Sequence, residues 1–355
     1  MPPKISIIIP IYNTPERYLR KCLSAVSGQT LGEIEIIIVD DCGTDPAAYN
    51  LAADLCRRDS RVKLLQTPAN TGTAAEPRNI GIRAAAGEYI FFCDDDDYPD
   101  SNLCEVLYRT AVKHGGAGDV SGAGNSSGAG GADSVRGDCG VDMVVFDIRA
   151  AGGKADGDHW IPERIPFDRV FSRADTNGII SEYVGDLVWN KLFRREFLLL
   201  NDLYCFPTKS YDDRYLAWCS AITASRIVAI RDVLHTHVYR SVSRTATNSL
   251  TALKIDDAFA VYNAMLERFK PGRYDTIRYD IENSTVSSVM YDIMRERDFG
   301  EFKRLLIRIQ QELLRDCVLA EAETPLMYYH NEWFKRDVLF MRDCTAEALW
   351  AAVNG

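Results

Sequence analysis

Four short runs of β-branched and aromatic residues recur early in the chain, at Ile5–Ile9, Ile34–Val39, Val62–Leu65 and Tyr89–Cys93, and helical patterns fill the gaps between them. The first, second and fourth are apolar runs that read as strands buried on both faces, and the third reads as a strand. The first helical stretch runs from about Pro15 to Ser27, with Leu19, Cys22, Leu23 and Val26 at helical spacing. The second opens on Asp45-Pro46, an N-cap followed by proline at the first helical position, and carries Tyr49, Ala52, Ala53 and Cys56 as its stripe. The third covers Glu76 to Ala86. Such alternation predicts an α/β fold, an open and mostly parallel sheet flanked by helices.

The remainder divides by composition. Residues 1–114 form the first half of the α/β domain. Residues 115–140 are so rich in Gly, Ala and Ser that burial cannot repay their ordering entropy, which makes them a flexible insertion. A strand at Val141–Ile148 opens the second half, residues 141–249. Residues 250–355 read as a helical subdomain with helices at Thr251–Phe269, Tyr274–Arg297, Glu301–Cys317 and near Thr345–Val353, the first two separated by Pro271-Gly272. The aromatic residues of that tail, Tyr328, Tyr329, Trp333, Phe334, Phe340 and Trp350, are expected in its core.

Ligands of a parallel α/β sheet bind beyond the carboxyl ends of its strands. Those ends carry Pro10, Tyr12 and Asn13 after the first strand, Asp40, Asp41 and Thr44 after the second, and Asn70, Thr71 and Gly72 after the third, with Arg78 about a turn later. Asp94, Asp95, Asp96 and Asp97 follow the fourth. Six aspartates on one rim repel each other unless a cation is present. Oxygen ligands without a Cys or His cluster suit Mg²⁺ or Mn²⁺, which take one or two carboxylates together with phosphate oxygens. The implied ligand is a metal diphosphate. The first loop, PIYNTPER, has no G-x-G-x-x-G, and no G-x-x-x-x-G-K-[ST] occurs, so neither a dinucleotide nor a Walker-type nucleotide is expected.

Charge and cysteine content narrow the partners. The chain has 355 residues, 41 Lys+Arg, 51 Asp+Glu and a formal charge of −10. Without a basic field there is no counterion release to drive nucleic-acid binding. None of the 10 Cys stands in a C-x-x-C pair. The start, MPPKISIIIPIYN, lacks an export signal, and no apolar run approaches the ~20 residues that span a bilayer. The expected compartment is the cytoplasm, with peripheral association at the inner face of the membrane left open, as is the oligomeric state.

Taken together, Ile7–Asn13 (IIIPIYN), Gln29-Thr30, Ile38–Asp45 (IVDDCGTD), Asn70-x-Gly72 with Pro77-Arg78-Asn79, and Gly87–Tyr98 (GEYIFFCDDDDY) resemble the nucleotide-binding half of a family 2, GT-A-fold glycosyltransferase. The resemblance continues through Val188–Phe197 (VWNKLFRREF) and Tyr211–Tyr215 (YDDRY) to Tyr239–Thr245 (YRSVSRT). It covers about residues 1–247 apart from the insertion. It implies an inverting, metal-dependent transfer of a hexose or N-acetylhexosamine from a UDP-sugar to a glycan or lipid-linked acceptor in surface polysaccharide synthesis. Pro10, Tyr12 and Asp41 match positions that hold uracil and ribose, with Asn13 beside them. Arg78 matches a contact to the nucleotide or its diphosphate. Asp94 and Asp96 match the two aspartates of the D-x-D, with Asp96 the direct ligand of Mn²⁺ or Mg²⁺, and Asp213 matches the general base.

Three departures accompany the match. Asp40-Asp41-Cys42-Gly43 replaces D-D-G-S, Asp212 stands for the usual Glu before the base, and Asp95 takes a hydroxyl position between the metal carboxylates. His235 and His237 share one face of a strand and either complete the metal shell or pack. Trp189 stacks on an acceptor sugar or fills the core, and Asn190 and Lys191 match the acceptor side. Arg240, Ser243 and Arg244 reach the diphosphate or form a solvated loop. A sugar nucleotidyltransferase and a catalytically silent nucleotide-sugar-binding or scaffold protein are the competing functions.

Overall fold

The computed structural model describes residues 2–116, 140–152, 157–158, 161–176, 178–239, 251–320 and 332–354. The insertion therefore lies outside the described residues apart from its ends, as do Arg240, Ser243, Arg244, Tyr328, Tyr329 and the side chains of Trp333 and Phe334.

The first half follows the alternation of the sequence. Strand β1 (Ile5–Ile11) and β2 (Ile34–Asp40) are buried along their whole length, as their unbroken apolar runs require. Helix α1 (Glu16–Ser27) buries Leu19, Cys22, Leu23 and Val26. Helix α2 (Pro46–Arg58) starts as expected, with the Asp45 carboxylate accepting from the amide of Ala47. Strand β3 (Val62–Gln66), α3 (Ala75–Ala84), β4 (Tyr89–Phe92), β5 (Tyr98–Pro99) and α4 (Leu103–His114) complete this half. Helix α3 lies directly on β1, because Gly81 has no Cβ to collide with Ile8.

The second half adds β6 (Met143–Ala151), the short β7 (Gly157–Asp158) and β8 (Val170–Phe171), α5 (Ser181–Val184), β9 (Lys191–Arg194), α6 (Arg195–Leu200), α7 (Asp212–Thr223) and β10 (Ile227–Val238). The sheet order is β3-β2-β1-β4-β9-β6-β10-β5, with β7 on β6 and β8 on β10. β1 pairs in parallel with β2 and β4, and β2 with β3. The order reverses at β1, and the crevice beyond β1 and β4 is where such a sheet takes a ligand. β9 enters antiparallel between β4 and β6. That strand was not expected, since only four residues of VWNKLFRREF pair and one is a buried lysine.

The C-terminal part comprises α8 (Thr251–Phe269), α9 (Thr276–Ile293), α10 (Phe299–Ile309), α11 (Glu332–Asp343) and α12 (Ala346–Asn354). Asp275 and Asp298 cap α9 and α10. Trp350 packs on Phe299 and Phe302, with ring centroids 5.4 and 5.0 Å away. Phe340, expected in the core, is instead 45% exposed. α9 docks on the α/β domain. Gly178, at φ +84°, leaves no room for a side chain against Thr276, Ser181 donates from its amide and hydroxyl to Asp280, and Asn283 donates to Glu182. No helix among the described residues is long and apolar enough to cross a membrane.

Candidate active site

The loop after β1 is held by its neighbours. Asn13, at φ +49°, donates to the Thr44 hydroxyl at 2.9 Å and accepts from the amide of Asp45 at 2.8 Å. Thr14 donates to Asp95. The loops after β1, β2 and β4 thus share one rim, and Tyr12 stands on it 39% exposed. Pro10 does not reach that rim. It lies inside β1, buried and in register with Val39, because the strand runs two residues further than its β-branched run.

Asp40 and Asp41 turn into their own loops. Asp40 accepts from Gln66 Nε2 at 2.8 Å and from the amide of Gly43. Asp41, 4% exposed, accepts from the hydroxyls of Thr67 and Thr71, the amides of Thr71 and Gly72, and Asn70 Nδ2. What it holds in this structure is the 70–72 loop. Cys42, where the family has glycine, keeps the left-handed conformation at φ +52°, and its thiol donates to the carbonyl of Thr67.

The four aspartates after β4 have separate environments. Asp94 accepts from Arg78 Nη2 at 2.7 Å. Asp97, fully buried, accepts from His235 Nε2 at 3.3 Å, His237 Nδ1 at 2.9 Å and the amide of Val238 at 2.7 Å. Burial opposes ionisation of Asp97, but the two histidines outweigh it and hold its carboxyl below the usual range. Burial likewise disfavours charge on His237, and Asp97, Asp94 and Asp96 overcome it and raise its basicity. Trp189, 4% exposed, stacks on His237 with centroids 4.7 Å apart. It is a packing residue beneath that histidine. Asp95 and Asp96 are half-buried on the rim.

Six aspartates converging on a cation is therefore corrected to a rim whose repulsion is largely answered within the chain by Arg78, His235, His237 and backbone amides. Among the described residues, no group of three or more His, Cys, Asp or Glu forms a metal cage. The donors fit a hard ion that takes one or two protein ligands and fills its shell with phosphate and water. His237 is held as a ligating histidine characteristically is, with one ring nitrogen, Nδ1, on the Asp97 carboxylate.

Arg78, on α3, is 5% exposed and turned inward. Its Nη2 pairs with Asp94 and its Nη1 with Asp212 at 2.9 Å. Burial alone would weaken the guanidinium, and the two carboxylates reverse that. Arg78, expected to contact the nucleotide or its diphosphate, links the β4 rim to the start of α7, where Asp212 and Asp213 lie in the first turn. Burial pushes both carboxyls above the usual range, opposed by Arg78. Lys191 is fully buried, donates to the carbonyl of Leu187 and to Asn190 Oδ1, and is lowered to about 7 by burial, with Asp186 and Asp213 opposing. Sequence reading overlooked Thr14 and the left-handed Tyr211 before α7. No periodicity marks either one.

Residues 6–178 match glycosyl transferase family 2. This chain carries a family 2 glycosyltransferase domain. The match stops short of Asp213. Glycosyltransferase GlyG of Streptococcus pneumoniae serotype 4 is 28% identical over 262 residues, 72% of this chain and 78% of that protein. EpsH of Bacillus subtilis (strain 168) is 42% identical over 109 residues, which span 31% of this chain and only 30% of EpsH. The structure of Staphylococcus aureus TarS 1–349 in complex with UDP-GlcNAc superposes with a TM-score of 0.66 at 16% identity, covering 99% of this chain and 90% of that one. The likeness shows the GT-A fold with its helical C-terminal region. TarS is named as a poly(ribitol-phosphate) β-N-acetylglucosaminyltransferase, and its S. aureus (strain Mu50 / ATCC 700699) sequence is 24% identical over 233 residues, 64% of this chain and 34% of TarS.

Proposed function

We propose that this glycosyltransferase moves a sugar, most simply an N-acetylhexosamine, from a UDP donor to a hydroxyl of a surface glycan or lipid-linked saccharide, with inversion at the anomeric carbon. The observation that carries the reading is the Asp94–Arg78–Asp212 link, which ties the nucleotide rim to the carboxylate-bearing start of α7. The UDP-GlcNAc complex of TarS supports the donor class. Nine free thiols among the described residues suit the cytoplasm, where we place the reaction.

Tyr12 offers an exposed ring to the uracil. Asp213 accepts the proton of the attacking hydroxyl, which is a poor nucleophile until that proton is taken. Its raised carboxyl makes it a stronger base than an ordinary aspartate while still ionised above its own pKa. Arg78 holds Asp94 and Asp212 in place. Mn²⁺ or Mg²⁺ would be held by Asp96 with His237, and when bound supplies Lewis-acid neutralisation of charge on the departing diphosphate.

The test is UDP release from a panel of UDP-sugars with Mn²⁺ or Mg²⁺. Release from at least one donor is expected, and a protein that binds these donors but releases UDP from none is a binding protein instead. Asp96→Ala is expected to weaken Mn²⁺-dependent UDP binding by at least about tenfold, since it removes a charged ligand. Unchanged affinity by calorimetry rules Asp96 out as the ligand. The acid limb of kcat is expected above the ordinary carboxylate range, because activity needs ionised Asp213 and burial raises its pKa. A limb at the pH of a solvated aspartate contradicts the assignment.

A further inference from the structure

We propose that the C-terminal helices are part of the catalytic apparatus: α9, through Asp292 bound to Tyr211 and Ser288 bound to Arg214, holds the turn that aims Asp213. The inference rests on Asp213 being the base and assigns Tyr211 and Asp292 as positioning residues for it.

Tyr211 immediately precedes α7 and has φ +64°, with no side-chain cap on the helix. A bulky L-residue stays in that left-handed region only when its surroundings hold it there. Here the surroundings are specific. The ring is 7% exposed, its hydroxyl donates to Asp292 on α9, and the Arg214 guanidinium lies over it, 4.5 Å from the ring centre. Arg214 in turn donates to Ser288 on α9 at 2.8 Å and pairs with Asp186 at 2.8 Å. One residue earlier, the amide of Ser210 donates to Asp257 on α8 at 2.8 Å, and Lys254 of α8 lies 3.6 Å from Asp292.

The two aspartates at the start of α7 are therefore flanked on both sides by tethers to α8 and α9, and Arg78 holds Asp212 from the nucleotide side. Local sequence alone does not fix this turn. Without the Tyr211–Asp292 contact the left-handed residue is free to relax, and the first turn of α7 swings Asp213 relative to the β4 rim. The donor site is built from the loops after β1 to β4, and its described link to this turn runs through Arg78 and Asp212 rather than through Tyr211. Catalysis should thus fall while donor binding stays.

The experiment compares Tyr211→Phe, Asp292→Ala and Asp292→Asn in Mn²⁺-dependent UDP release from UDP-GlcNAc, with UDP titration of each variant. Tyr211→Phe and Asp292→Ala should each lower kcat about 10- to 100-fold, the effect of misplacing a reacting group, with donor KM and UDP stoichiometry close to wild type. Asp292→Asn keeps an oxygen to accept the hydroxyl and should restore most of the loss. The double variant Tyr211→Phe/Asp292→Ala should be no worse than the poorer single one. Wild-type kcat in Tyr211→Phe overturns the proposal, and so does a fall in kcat that only tracks lost UDP-binding sites. Asp213→Asn in the same assay separates the two readings. If it turns over normally the base assignment fails; if it is inactive while Tyr211→Phe is not, only the role of α9 fails.

Discussion

Asp213→Asn should lower sugar transfer by about two to four orders of magnitude, the usual contribution of a positioned proton acceptor, with little change in UDP-sugar affinity. The amide keeps the shape of the carboxylate and removes its ability to take a proton. Asp213 lies in the first turn of α7 and is not itself one of the residues that hold the nucleotide in this reading, so binding should change little. Burial raises its carboxyl, which places it closer to working pH. Single-turnover transfer and calorimetric titration with UDP distinguish the two effects. A variant with wild-type turnover removes Asp213 from the mechanism and directs attention to Asp212.

Arg78→Met should damage both stability and activity. The substitution keeps apolar bulk but removes the cation between Asp94 and Asp212, and an uncompensated carboxylate in a buried setting costs about 3–5 kcal/mol. Asp212 is 8% exposed, so water cannot replace the guanidinium fully. Lysine is a poor substitute, because one ammonium cannot reach two carboxylates with the fixed fork that Arg78 uses. The pH dependence has a definite sign. Arg78 holds down a carboxyl that burial pushes up, so its loss raises the folded-state pKa of Asp212 further above the unfolded value. The destabilisation is full above that raised pKa and fades as the pH falls through it. Urea denaturation should show a larger gap from wild type at about pH 8 than at about pH 5. Equal stability at pH 8 means that Asp94 and Asp212 do not need the bridge.

The sheet and its ligand edge were legible because they depend on periodicity. Unbroken runs such as IIIVD and YIFF admit few structures, and Asp45-Pro46 announces its helix. Periodicity fixes which edge a residue occupies but not which way its side chain turns. Asp41 and Asp96 look alike in sequence, yet one braces the loop at 70–72 and the other stays on the rim. Arg78 reads in sequence as a phosphate ligand, and nothing near it announces its two carboxylate partners, 16 and 134 positions along the chain. Helix α9 hides its importance for another reason. Its buried residues include Asp280, Asn283 and Asp292, polar residues that read as solvent-facing until their partners Ser181, Glu182 and Tyr211 in the α/β domain are known.

β9 has a consequence for how the protein is made. The free edge of β4 is closed by residues that emerge from the ribosome about a hundred positions later, as the pairing of Tyr89 with Arg194 shows. At typical elongation of about 5–20 residues per second, a nascent chain exposes that apolar edge for roughly 5–20 s. During synthesis it is a natural target for chaperones and a point where aggregation can begin.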